Sequence, residues 1–122
     1  MSHKSLLKQY EQALSTHKWE VVAPLIDDDA CFVFSEGTFE GKFNIGLAIQ
    51  KTFEIIKDEK YCIKGVRWIH VQDDCALCTY DFFWSGLIDG VLKEGSGRGT
   101  SLLVRDSTGW KIKYEHLGPP PQ

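Results

Sequence analysis

From Lys60 onward the chain shows no helical period, and this half of the sequence constrains the fold more than any other feature. Residues 61–72, 75–88, 91–104 and 110–117 are rich in aromatic and β-branched side chains, and short polar turns separate them. Asp89-Gly90 between two such runs predicts a two-residue hairpin, whose central residues both need a positive φ. Gly95, Gly97 and Gly99 either interrupt the third run or leave one of its faces bare, for curvature or for close approach of another group. The last run alternates cleanly. Trp110, Ile112, Tyr114 and His116 are expected on one face, with Lys111, Lys113 and Glu115 on the other. Gly118 and the three prolines after it cannot continue a central strand and form an extended tail.

A sheet of this kind needs a cover, and the first half of the chain supplies helices. Leu6, Leu7, Tyr10, Ala13, Leu14 and His17 recur at helical spacing over residues 3–17. A short second helix is expected from Trp19 to about Leu25, limited by Pro24. Asp27, Asp28 and Asp29 lead into a strand over 30–34, and residues 35–41 read as a turn. Ile45, Ala48, Ile49, Thr52, Phe53 and Ile56 then mark the clearest helix in the sequence. Segregated helices and antiparallel strands predict an α+β fold, built as one domain over residues 1–122. A curved antiparallel sheet enclosing a pocket is the expected form.

The 122 residues carry a net charge of −3, with no clustered basic stripe, which argues against nucleic acid as a partner. No apolar run reaches the length of a membrane span, and no apolar segment follows the first residues as a signal peptide would require. The expected location is the cytoplasm, where Cys31, Cys62, Cys75 and Cys78 remain thiols. Cys75 and Cys78 form a CxxC on a predicted strand, where residues three apart point to opposite faces, so no metal or redox cofactor is expected. Three consecutive aspartates diverge in the same way and read as a solvated turn.

Four segments resemble the nuclear-transport-factor-2-like superfamily, in its SnoaL-like and calcium/calmodulin-dependent kinase II association-domain branch. They are Tyr10 with Trp19-Glu20, Pro24-Leu25 and Asp28-Asp29-Ala30; Phe39-Glu40-Gly41 before the long helix; Asp73-Asp74-Cys75-Ala76; and Gly99-Thr100 through Arg105 with Gly109-Trp110, Ile112, His116 and the proline tail. The resemblance implies a cystatin-like cone, with the sheet wrapped around the long helix, a cavity at one end, and a homodimer formed through the outer sheet face. In the isomerase branch of that superfamily a carboxylate on the first strand takes a proton from carbon. Here that position falls on Phe34, which cannot act as a base.

The remaining candidates come from the residue pattern. Ala76, Cys78, Tyr80, Phe82 and Trp84 share a strand face and suit a ligand wall with polar tips. Arg98 shares a face with Thr100 and could pair with a ligand carboxylate, or with Asp81 or Glu94. The expected ligand site is Tyr10, Phe34, Tyr80, Trp84, Arg98, Thr100, Tyr114 and His116, with Tyr10, Glu36 and His116 as candidate acid or base groups. Three functions fit this pattern: a binder of a small organic ligand, carboxylate-bearing if Arg98 faces it; an isomerase, dehydratase or cyclase acting on a carbonyl compound; or a dimerisation module.

Overall fold

The computed structural model describes residues 2–122. Helix α1 (His3–Ser15) starts on Ser2, whose hydroxyl caps the Ser5 amide at 3.1 Å. Helix α2 (Trp19–Val22) runs into a single 3-10 turn, Ala23–Leu25. Strands β1 (Ile26–Phe34) and β2 (Gly37–Glu40) form a hairpin, followed by α3 (Lys42–Ile55). Strands β3 (Lys57–Val71), β4 (Cys75–Ile88), β5 (Val91–Asp106) and β6 (Gly109–Gly118) complete the chain. Among the described residues no helix is long and apolar enough to cross a membrane.

The second half folds as its turn signals predict. Asp89 and Gly90 have φ values of 52° and 78°, as the tight hairpin demands. Strand β5 runs unbroken through Gly95, Gly97 and Gly99. Each of these glycines pairs with an aromatic residue on β4: Gly95 with Trp84, Gly97 with Phe82 and Gly99 with Tyr80. The rings lie directly on the bare β5 backbone, and a methyl on Gly95 would stand 2.5 Å from Trp84 Nε1. The glycines therefore serve close ring approach and not curvature.

Two expectations about the sheet are overturned. It is mixed, in the order β2-β1-β6-β5-β4-β3, because β1 pairs with β6 in parallel. It is also open and not strongly curled, so there is no cone wrapped around the long helix. Helix α3 packs at the β1–β2 end, while α1 lies against β3 and β6. Between them the helices cover a core containing Leu6, Tyr10, Ile45 and Ile49 from the helices and Phe32, Ala76, Leu103 and Ile112 from the sheet. The α+β class stands. The segment read as a turn over 35–41 contains β2, a strand too short for its own period to show.

The alternation expected along β6 also fails. Ile112 pairs with Leu103, and Tyr114 with Leu102, so Lys113 is an extra residue, a β-bulge. Beyond it every side chain changes face. Glu115 turns inward, while Tyr114 and His116 turn away from the core. Lys113 is tied at the bulge by Asp27, with Nζ 3.2 Å from Oδ1. Asp28 pairs with Lys42 at 3.1 Å.

Candidate functional site

The bulge sets Glu115 in a row of buried residues that crosses four strands: Cys78, Ser101, Glu115 and Phe32 are neighbours in register. A carboxyl that is 1% exposed needs partners, because burying an ionised group costs several kcal/mol. Two tyrosines provide them. The Tyr10 hydroxyl donates to Oε2 at 3.2 Å, and the Tyr80 hydroxyl donates to Oε1 at 3.3 Å. Tyr80 also lies 2.8 Å from the Ser101 hydroxyl. Both bonds to the carboxyl are long, and they only partly offset the loss of water. Burial pushes Glu115 up to about 7, against the downward pull of Tyr10 and Tyr80. The same carboxyl, added to burial, holds the Tyr10 and Tyr80 hydroxyls well above their ordinary value.

A cavity of about 850 Å³ opens beside this cluster, between the C-terminal halves of α1 and α3 and the sheet. Tyr10 and Glu115 border it at one side. Phe34, Phe53, Tyr61, Phe82 and Trp84 supply aromatic walls, and Ile49 and Ile56 of α3 add aliphatic surface. Pro119 and Pro120 of the tail stand at its mouth. Glu59 on β3 is a second carboxyl in the wall, with His17 Nε2 at 2.9 Å from its Oε1. The arrangement is an apolar cleft with a small number of convergent polar groups, which suits an uncharged organic molecule. Among the described residues no cluster of His, Cys, Asp or Glu is arranged to hold a metal ion. A smaller depression of about 520 Å³ on the other side of β3–β5 has no comparable acid–base group at its base; Lys60, Cys62 and Glu94 stand around it.

The residues expected at the site divide into three groups. Tyr10, Phe34 and Trp84 border the cavity, with Glu36 and His116 exposed at its edge. Tyr80 is buried beneath it, behind Glu115. Arg98, Thr100 and Tyr114 are not among its lining residues. Arg98 is exposed and stands opposite Asp81 in the β4–β5 register. Glu115, Glu59, Tyr61 and His17 were not legible as site residues. For Glu115 the alternation pointed outward. Its one indirect signal was the pair of tyrosines at core positions on α1 and β4, each of which needs a hydrogen-bond partner when buried.

A family model described as a SnoaL-like domain matches residues 4–121. Among curated proteins there is no match. Similar solved structures include a nuclear transport factor 2 (NTF2-like) superfamily protein from Salmonella enterica serovar Typhimurium, at a TM-score of 0.89 and 16% identity over 97% of this chain and 88% of that one. A candidate dehydratase from the NTF2-like family of Streptomyces avermitilis superposes at 0.86, with 16% identity over 98% and 94% of the two chains. A protein with a cystatin-like fold from Caulobacter vibrioides gives 0.79, with 22% identity over 96% and 87%. At these identities the likeness is one of fold.

Proposed function

The chain belongs to the SnoaL-like domain family, within the nuclear-transport-factor-2-like superfamily, and we propose that its cavity takes up a small, uncharged organic carbonyl compound and moves a proton on it at Glu115. One observation carries the reading: a carboxyl with a pKa of about 7 sits between two tyrosine hydroxyls at the edge of an aromatic cavity. A general acid or base works best when its pKa lies near the working pH, and burial has brought Glu115 there. Tyr10 is placed to follow the proton, since its hydroxyl bonds Oε2 and its ring lines the cavity. This chemistry fits an isomerase, dehydratase or cyclase, and the Streptomyces structure bears the name of one such activity. A carboxylate-bearing ligand has less support, because Arg98 is exposed and away from the lining and the cavity wall is acidic.

The test uses 2-tetralone, an aromatic ketone whose two carbons beside the carbonyl carry exchangeable hydrogens. Proton NMR in D2O follows exchange at each carbon separately. The wild-type chain speeds exchange, and Glu115→Gln slows it at one carbon at least by about a hundredfold. A wild-type chain that leaves exchange at the solvent rate, or a Glu115→Gln variant as fast as wild type, would refute the reading.

The sheet face turned away from the helices favours self-association as a second role. Leu77, Leu102, Tyr114 and Cys31 form a partly exposed row in register across four strands, and Phe83 beyond it is 44% exposed. A second copy of the chain covers such a face. Light scattering that reports a monomer at high protein concentration counts against it.

A further inference from the structure

Glu59 and Tyr61 stand two residues apart on β3, so they project from the same face, and both line the cavity. Neither is needed to satisfy the Glu115 cluster. Among the described residues the Tyr61 hydroxyl has no hydrogen-bond partner, unlike those of Tyr10 and Tyr80. Burial holds it well above its ordinary value, and Glu115 and Glu59 both push in the same direction. Tyr61 therefore lies within electrostatic reach of both carboxyls, with a free donor in a ligand-sized space.

Glu59 is held by a built contact. His17 Nε2 engages Oε1 at 2.9 Å, and the imidazole stacks on Phe53 with ring centres 4.4 Å apart and planes at 16°. The Glu59 side chain is 11% exposed. Burial raises its carboxyl, and the His17 contact offsets only part of that rise. The backbone supports a dedicated placement. His17 follows the α1 cap residue Thr16 and has a φ of 54°, in the left-handed region that glycine usually occupies after a helix. Glycine would sit there without strain, but only a side chain can reach Glu59 and Phe53.

We propose that His17 and Glu59 form a second proton-handling site in the same cavity, with Tyr61 as its hydrogen-bond donor, and that the substrate is an aromatic ketone with enolisable hydrogens on two carbons. This rests on the cavity reading above. In the step at Glu59 a carbon–hydrogen bond beside the carbonyl breaks. The proton goes to Oε2, the oxygen His17 leaves free, and the electron pair moves into the ligand as an enolate. Tyr61 donates to the enolate oxygen. Return of a proton from Glu59 to the same carbon restores the neutral ketone, and the other carbon exchanges through its own enolate, formed at Glu115. Two other acids act on this corner: Glu11 of α1, whose Oε2 accepts from the Ile63 amide at 2.6 Å, and Glu115. Both disfavour a free anion at Tyr61, so Tyr61 keeps its proton and acts as a hydrogen-bond donor, while the proton on Glu59 exchanges with solvent before one is returned. Glu59 is the catalytic residue of this site, and His17 is a positioning residue acting through it.

The two exchanging carbons of 2-tetralone separate the sites. Glu115→Gln slows exchange at one carbon, and Glu59→Gln slows it at the other by at least about tenfold. His17→Asn keeps a donor to Glu59 and tolerates the left-handed backbone, but lacks the imidazole. It slows the carbon that Glu59→Gln affects and alters the pH profile there alone. The proposal is overturned if Glu59→Gln and His17→Asn exchange both carbons at the wild-type rate. It is equally overturned if Glu115→Gln abolishes exchange at both, or if the variants slow both carbons equally, since one site then does all the chemistry. A wild-type chain with no effect on either carbon removes the cavity reading itself, and this site with it. If Glu59→Gln fails to fold, His17→Asn alone decides between the first two outcomes.

Discussion

Replacing Glu115 with Gln should stabilise the fold at alkaline pH and leave it unchanged in acid. The amide matches the protonated carboxyl in shape, and it can accept from one tyrosine hydroxyl while donating to the other. In the fold Glu115 ionises at about 7, against an ordinary value of 4.5. Between those two values the folded chain holds a proton that the unfolded chain has released. The stability contributed by Glu115 is therefore complete below about pH 4.5, fades as the pH rises, and is lost above about pH 7. At 1.36 kcal/mol per pH unit, the difference between 4.5 and about 7 amounts to about 3 kcal/mol. Since Glu115 is fully buried, no solvent screening reduces it. Urea unfolding followed by tryptophan fluorescence should give equal stability for the two proteins near about pH 4.5, and a gain of about 3 kcal/mol for Glu115→Gln near about pH 8. Thermal midpoints should then separate by roughly 10 °C. A gap of equal size at both pH values, or no gain at about pH 8, would show that burial does not govern this carboxyl.

Tyr10→Phe removes one of the two donors that favour the ionised form of Glu115. It should cost about 1–2 kcal/mol near about pH 8 and less near about pH 5, measured by the same unfolding titrations; a cost independent of pH would mean that the bond at 3.2 Å does not support the carboxylate. The glycines of β5 should differ in how they can be rescued. Gly95→Ala has the Trp84 ring as its nearest obstacle, so a double-mutant cycle with Trp84→Ala should show coupling of about 1 kcal/mol or more. Gly97→Ala also meets the Gly118 carbonyl oxygen, which is backbone, so Phe82→Ala should not restore its stability.

Where a period is long and its neighbours are local, the chain can be read directly. Helix α3 follows from Ile45, Ile49, Phe53 and Ile56, and the β4–β5 hairpin follows from Asp89-Gly90, because a helical stripe and a two-residue turn are settled within a few residues. Tyr10 and Trp84 were legible for the same reason, since each lies on an element whose face the local pattern identifies, whereas Phe34 came from its place in the family resemblance. The parallel pairing of β1 with β6 was not legible, since strands 80 or more residues apart carry no mark of their partner. Nor was the close fit of Tyr80, Phe82 and Trp84 onto three glycines, although both halves of it are plain in the residues of β4 and β5.

Glu115 shows where the division falls. The residues of β6 specify a strand, and their strict alternation directs this carboxylate to solvent. A single extra residue at Lys113, tied to Asp27 on β1, reverses that direction. Pairing across strands makes such a bulge, and the strand's own pattern carries no trace of it; yet a shift of one residue moves every later side chain to the opposite face. Composition and period thus determined that the chain forms helices over a sheet with an aromatic wall. Packing between distant strands determined which carboxyl that wall encloses, and its removal from water raised that carboxyl's pKa to about 7.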